Sequence, residues 1–377
     1  MLPGVSAGLV NGVLIVIFQS AYAALIFSGI LESYLAAGLG LMLFGACVMG
    51  LVTAYASSFE GTVTAPQDAP TAILALLPSA IYLQMKASEL NTAEVFYTVV
   101  AAIALTAILT GVLLTVLGRF ELGNLIRFIP YPVVGGFLAG TGWVLVKGAI
   151  GIMAGSGGSF GEHLLEHDYL LRWLPGVIFA LALYAILRRF KHFLLMPGVI
   201  LAAISLFYGV VFVSGISLER AVELGLLLPR MESGISWSPL TQTGLALVDW
   251  AAIISQSGEI FSVVIISIIS LLLNASGLEL IARREVDLNQ ELRVAGIANI
   301  LSGLGSSSVG YMSLRLSAFG FRLGSRSRIS SYISAAICGL VLITGAGVAA
   351  YFPKPLLGGL LFYLGLTFLV EWLYTAW

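Results

Sequence analysis

Hydrophobic residues along this chain gather into runs of about 20, the length that crosses a bilayer core of roughly 30 Å, and the polar positions fall in short breaks between them. This pattern predicts twelve helical spans, near 5–30, 34–56, 62–85, 94–118, 132–153, 174–189, 193–214, 252–281, 289–303, 305–322, 330–351 and 355–376. The stretches 155–172 and 216–250 are more polar and read as loops or short amphipathic segments. The WLPG at 173–176 and the WSPL at 237–240 suggest tryptophan anchoring at the membrane interface. The first span has neither a basic leader nor a small-residue cleavage site, so it reads as a retained helix. With the N-terminus on the cytoplasmic side, eleven Lys and Arg fall in inner loops and five in outer ones, which predicts that orientation, in the cell (inner) membrane.

Two spans depart from the plain apolar helix. The third opens with TVTAPQDAPTAIL, where Pro66 and Pro70 bracket Gln67 and Asp68; proline removes a donor and disfavours helix in the residue before it, so the span should break near Pro66. The tenth opens with GLGSSSVGYMSLRLSAFGF, whose glycines and serines should delay the helix until about Tyr311. Non-helical backbone inside a bilayer is tolerated only where protein or a cavity surrounds it. Interrupted segments at matching places in two halves point to a transporter's binding site. Spans 3 and 10 match if the chain is two inverted repeats of seven spans, the first over about 1–215, a linker over 216–250, and an incomplete second over about 251–377.

Composition narrows the function classes. The residues are 59% hydrophobic and 10% charged, with a mean hydropathy of +1.02, where a soluble domain is about one-quarter charged. A soluble domain, catalytic or otherwise, does not fit this composition. A net charge of −1 and a pI near 6.3 give no basic surface for nucleic acid. Cys47 and Cys338 sit singly in apolar spans and imply neither a disulfide framework nor a metal site. His163, His167 and His192 lack ligand company, and SGLGSSSVG lacks the lysine of a phosphate-binding loop. Gly136 and Gly140 read as close-packing positions.

FQSAYAAL at 18–25 resembles the P-Q-S-x-A-Y-A signature of the SulP family of sulfate permeases and related anion transporters, with Phe18 in the place of proline. RFIPYPVVGGFLAG at 127–140 resembles that family's fifth span, and the sequence from Ala298 to Ser330 its ninth-to-tenth region. The resemblance implies an all-α polytopic fold of fourteen segments in two inverted repeats, split into a core and a gate. Spans 3 and 10 would each start as a short strand and continue as a half-helix, their N-termini facing each other near the midplane. Core and gate would move in an elevator-like way, and a homodimer is expected. Three departures stand out. The chain ends at Trp377, after span 12, which suggests a truncated product without spans 13 and 14. The acid common in span 8 aligns with Ser270, with Asn274 a turn later. Asp68 stands where relatives carry a small residue.

An ionisable residue inside a membrane is costly and marks function by default. Asp68 reads as a substrate or coupling group, or as the N-cap of half-helix 3. Arg315 reads as a bidentate oxyanion ligand, or as the ion-pair partner of Asp68. Gln19 and Tyr22, three apart on span 1, present an amide and a hydroxyl to the cavity or to a neighbouring helix. Gln67, Tyr311 and Ser313 complete the substrate site, while Asp68, Ser270 and Asn274 are the candidates for H+ or Na+ coupling; no cofactor is expected. Lys147 reads as a snorkelling cation or the partner of an internal acid, and Glu259 and Glu279 as helix-end residues. The expected function is secondary active transport of a small inorganic anion of the sulfate, bicarbonate or chloride class, in contact with lipid. A proton-coupled carrier of an amino acid, with a cationic one allowed, is the alternative, and a non-transporting membrane scaffold a third.

Overall fold

The computed structural model describes residues 2–85, 92–123, 131–155, 167–190, 192, 194–228 and 237–375. In chain order the elements are α1 (Leu2–Ile26), α2 (Leu35–Ala56), β1 (Thr64–Pro66), α3 (Asp68–Leu74), α4 (Leu77–Met85), α5 (Thr92–Arg119), α6 (Tyr131–Ala154), α7 (His167–Arg189), α8 (Leu195–Val213), α9 (Leu218–Glu223) and α10 (Gln242–Leu245). They continue as α11 (Trp250–Ser255), α12 (Ser257–Ala282), α13 (Leu288–Leu304), β2 (Gly310–Met312), α14 (Leu314–Arg322), α15 (Ile329–Thr344) and α16 (Lys354–Thr375). Among the described residues eight helical stretches are long and apolar enough to cross a membrane. Together with α13, α15 and the interrupted segments β1–α3–α4 and β2–α14, they fill the twelve expected places.

Three boundaries differ from the sequence expectation, each for a local reason. Helix α7 starts at His167, not near 174, so the WLPG lies inside it with Pro175 among its helical residues. One proline forfeits a single main-chain hydrogen bond, which a long membrane helix tolerates. The eighth span divides at Gln256 (φ −94°, ψ 19°) into α11 and α12. The eleventh stops at Thr344 because Gly345 takes φ 96°, which side chains resist, and the chain turns there into a 3-10 segment over Ala346–Tyr351.

The helices form two groups. Helices α1, α2, α5, α13 and α15 pack on one another with α12 and α14 against them, while α6, α7 and α16 form a second group with α8 at its edge. Contacts between the groups run from α1 and α3 to α6, and from α1 to α16. Glycines let the closest pairs touch backbone to backbone. A Cβ at Gly111 of α5 would lie 2.7 Å from the Gly296 carbonyl oxygen of α13, and one at Gly296 would lie 2.8 Å from that of Gly111. Gly142 of α6 and Gly365 of α16 repeat the arrangement at 2.8 and 2.5 Å. Gly136 and Gly140, expected to be close-packing positions, have nothing among the described residues within 4 Å of where a Cβ would stand. The α6 contact uses the Gly142 face instead.

Candidate functional site

The two interrupted segments meet in an antiparallel ribbon, Thr64 opposite Met312, Ala65 opposite Tyr311 and Pro66 opposite Gly310. The ladder extends through the Gln67 N–H to the Val309 carbonyl (3.3 Å) and the Ser313 N–H to the Val63 carbonyl (2.8 Å). Antiparallel pairs alternate between hydrogen-bonded and non-hydrogen-bonded. Pro66 and Gly310 therefore fall at a non-bonded pair, where the missing proline N–H costs the ladder nothing. Gly310 is also required sterically, since a Cβ there would lie 2.4 Å from the Ala65 carbonyl oxygen.

Outward-facing backbone groups of so short a ribbon need partners, because each unpaired one in a dry interior is costly. Side-chain amides from three helices supply them. Gln19 of α1 donates to the Pro66 carbonyl (3.1 Å), and Asn274 of α12 to the Met312 carbonyl (2.9 Å). Asn299 of α13 donates to the Gly310 carbonyl (2.7 Å) and accepts the Gly310 N–H (2.9 Å). Asn299 was not among the residues singled out from sequence, nor was Asn11, which donates to the Leu316 carbonyl at 3.1 Å. The available signal was an asparagine set in an apolar run.

Each strand passes directly into a half-helix. Gln67 is the N-cap of α3, in an extended conformation and without a side-chain cap. Asp68 is thus the first helical residue, not the N-cap. Its Oδ1 accepts the Ala69 N–H (3.0 Å), and its Oδ2 accepts from Arg315 Nη2 at 2.6 Å. On the other side, Ser313 caps α14 by accepting the Leu316 N–H, and the helix begins at Leu314 instead of Tyr311. Tyr311 is held extended by its pairing with Ala65. Arg315, the second residue of α14, reaches back across the ribbon to Asp68. The Asp68 side chain is 7% exposed and that of Arg315 43%, so the carboxylate is enclosed while the guanidinium keeps an open side.

That open side faces a small cavity of about 30 Å³ lined by Gln19, Tyr22, Gln67, Ser313, Arg315 and apolar neighbours including Phe18 and Met196. Phe18 and Tyr22 stack with ring centroids 6.3 Å apart. The Gln67 amide donates to the Ala65 carbonyl (3.1 Å). The Gln19 amide nitrogen is committed to Pro66, and its oxygen is left buried with no hydrogen-bond partner among the described residues. Tyr22, Tyr363 and Glu371 lie within electrostatic reach of Arg315. Of the expected site residues, Gln19, Tyr22, Gln67, Ser313 and Arg315 converge on the cavity, with Asp68 bound to Arg315. Tyr311 is buried behind them, its hydroxyl hydrogen-bonded to Ser270. Ser270 and Asn274 accordingly both engage β2.

The remaining singled-out residues lie elsewhere. Glu279 accepts the Val286 N–H (2.9 Å) at the α12–α13 corner, where Arg283 takes φ 51°, in keeping with a helix-end role. Glu259 is half-buried in the first turn of α12. His192 Nδ1 accepts the Leu194 N–H; His163 and the side chain of His167 lie outside the described residues. Trp237 of the WSPL turns inward: it stacks on Phe44 at 4.5 Å and donates to the Gly305 carbonyl at 3.0 Å. An aromatic with a ring partner and an acceptor inside the protein gains more there than at an interface. Cys47 and Cys338 are free thiols, and no metal-holding group of side chains occurs among the described residues.

The fold and sequence have close counterparts among known proteins. The chain is 25% identical over 296 residues to the vacuolar basic amino acid transporter VSB1 of Saccharomyces cerevisiae, covering 76% of this chain and 29% of that one. It is 26% identical over 308 residues to a probable sulfate transporter of Mycobacterium tuberculosis (79% and 51%). It is 24% identical over 340 residues to the bicarbonate transporter BicA of Synechocystis (88% and 56%). It thus spans from under a third to just over half of these relatives' lengths. Among solved structures, the transmembrane domain of a cyanobacterial BicA superposes with a TM-score of 0.70 at 19% identity, over 98% of this chain and 89% of that one. SLC26A9 superposes with 0.71 at 18% identity, over 98% and 58%. These superpositions establish the inverted-repeat fold, and the chain is an integral, multi-pass membrane protein. The Sulfate permease family matches residues 2–377, essentially every residue from which the crossed ribbon and its cavity are built, and the chain belongs to that family.

Proposed function

We propose that this chain is the membrane unit of a secondary active transporter for a small inorganic anion of the sulfate, bicarbonate or chloride class. The anion binds at Arg315, at the crossing of β1–α3 and β2–α14. The carrying observation is a guanidinium held at the start of a half-helix with one side open to a small cavity between the two helix groups. A planar cation with several donors suits oxyanion recognition, and the α14 N-terminus adds favourable dipole. Transport follows when the group containing α6, α7, α8 and α16 moves against the rest, exposing the cavity to one side and then the other. The N-terminus lies in the cytoplasm, and Asp68, released when the anion takes its place on Arg315, is the proton-coupling group. Purified protein in proteoliposomes should take up labelled sulfate, bicarbonate or chloride, and Arg315→Ala should abolish uptake while Arg315→Lys retains part of it. Unchanged uptake in a well-folded Arg315→Ala protein removes this assignment.

A second reading, proton-coupled transport of a basic amino acid, has its own observations. A carboxylate sits in the site, and the Gln19 oxygen is a buried acceptor with no donor among the described residues. A ligand carrying both a carboxylate and a cationic N–H group would engage Arg315 and Asp68 together. VSB1, one of the relatives above, is a basic amino acid transporter. Arginine uptake that requires a pH gradient and vanishes in Asp68→Asn would select this reading.

A further inference from the structure

Arg315 is the only cation among the described residues that line the site cavity, and Asp68 at 2.6 Å already matches its charge. A second carboxylate approaches from the other helix group. Tyr363, Thr367 and Glu371 stand four apart on α16 and so share one face of that helix. The contact with α6 uses a different face, through Gly365, Phe368 and Leu369. Tyr363 near one end of the stripe and Glu371 at the other both lie within electrostatic reach of Arg315, so the stripe looks across the seam at the guanidinium. Thr367, between them, turns its hydroxyl back onto the Tyr363 carbonyl at 2.8 Å. Unlike the enclosed Asp68, Glu371 is exposed, so water reaches its carboxylate.

This arrangement treats anions of different charge unequally. A singly charged anion that takes the place of Asp68 on Arg315 restores the balance one for one. A doubly charged anion leaves one negative charge over, and the α14 N-terminus supplies only about half a unit of positive charge against it. That surplus faces Glu371. Electrostatic work scales with the product of the two charges, so Glu371 opposes a dianion with twice the free energy that it costs a monoanion of the same size. In affinity, the dianion's penalty is the square of the monoanion's.

We propose that the site selects singly charged anions, and that Glu371, presented by α16 from across the seam, is the residue that discriminates against doubly charged ones. The inference rests on the anion reading and narrows it to the singly charged members of the class, such as chloride and bicarbonate.

The test is displacement of labelled chloride from detergent-purified protein by unlabelled chloride, perchlorate and sulfate, at low ionic strength and about pH 8, above the ordinary carboxylate range. Perchlorate and sulfate are both tetrahedral and differ by one charge. Their unequal costs of dehydration cancel when each anion is compared between variant and parent. In the parent, chloride and perchlorate should displace the label at lower concentrations than sulfate. Glu371→Gln should tighten chloride and perchlorate by about threefold and sulfate by about tenfold, and the difference should shrink in 1 M salt. Glu371→Asp, which keeps the charge, should keep most of the discrimination, whereas a merely structural role would be lost in both variants. Sulfate that displaces chloride as readily as perchlorate does in the parent overturns the proposal. So do equal factors for sulfate and perchlorate in Glu371→Gln, or equal behaviour of Glu371→Asp and Glu371→Gln. Each of these results leaves anion binding at Arg315 standing, while a protein that binds and takes up no anion removes that reading and this inference together.

Discussion

Asp68→Asn is the most informative single change, because the two substrate readings predict opposite consequences. Asparagine keeps the volume and an oxygen for the Ala69 N–H, which now meets Asp68 Oδ1 at 3.0 Å, so α3 should start normally. What is lost is the negative charge 2.6 Å from Arg315. A charge-assisted contact of this kind contributes about 1.5–3 kcal/mol when enclosed. With the Arg315 side chain 43% exposed, solvent screening reduces this to about 1 kcal/mol. An anion that displaces Asp68 must overcome that amount, so its removal should tighten anion binding by about fivefold. The assay is displacement of labelled sulfate by unlabelled sulfate, bicarbonate and chloride on detergent-purified protein, with thermal melting alongside. Anion affinity that stays the same or weakens, with melting unchanged, refutes the reasoning that Asp68 competes with an anion for Arg315.

Asn299→Ala should leave both backbone groups of Gly310 unpaired in a fully buried place. At about 1–3 kcal/mol for each, the protein should lose about 2–6 kcal/mol, seen as a lowered melting midpoint in detergent, and an unaltered midpoint would contradict the role given to that amide. Gly365→Val should force α6 and α16 apart, since even a Cβ falls 2.5 Å from the Gly142 carbonyl oxygen. Low yield and early melting are expected, and normal melting would speak against that close contact. Glu291 Oε1 accepts from the Ser57 and Ser58 hydroxyls and the Ser58 N–H, pinning the chain between α2 and β1. Glu291→Gln retains an acceptor and should stay near wild type, whereas Glu291→Ala should melt earlier; equal melting of the two would remove the role of that acceptor.

The helical spans were legible because a bilayer demands about 20 apolar residues for each crossing, a signal that is local and long. The breaks in spans 3 and 10 were legible from Pro66 and from the Gly/Ser run before Tyr311, both of which act on their own backbone. That each break becomes a strand leading into a half-helix was legible from the family resemblance, not from the local pattern. Tyr311 is extended only because Ala65, 246 positions away in sequence, supplies the opposite strand, and no window around Tyr311 contains that partner. The same holds for Asn299 and Asn274, whose amides matter because Gly310 and Met312 present carbonyls to them. Asp68 and Arg315 stood out as charges in apolar surroundings, and their ion pair was one of the two readings of Arg315; the ribbon crossing is what brings them to 2.6 Å. The inward turn of Trp237 is hidden for a similar reason: its ring partner Phe44 lies on α2.

The most direct measurement is side-by-side uptake of labelled sulfate, bicarbonate, chloride and arginine by the purified protein in proteoliposomes, with and without an imposed pH gradient. The account predicts saturable uptake of at least one of the three anions, lost in Arg315→Ala, with arginine excluded. Gradient-driven arginine uptake without uptake of any anion would contradict it and assign the site to a basic amino acid.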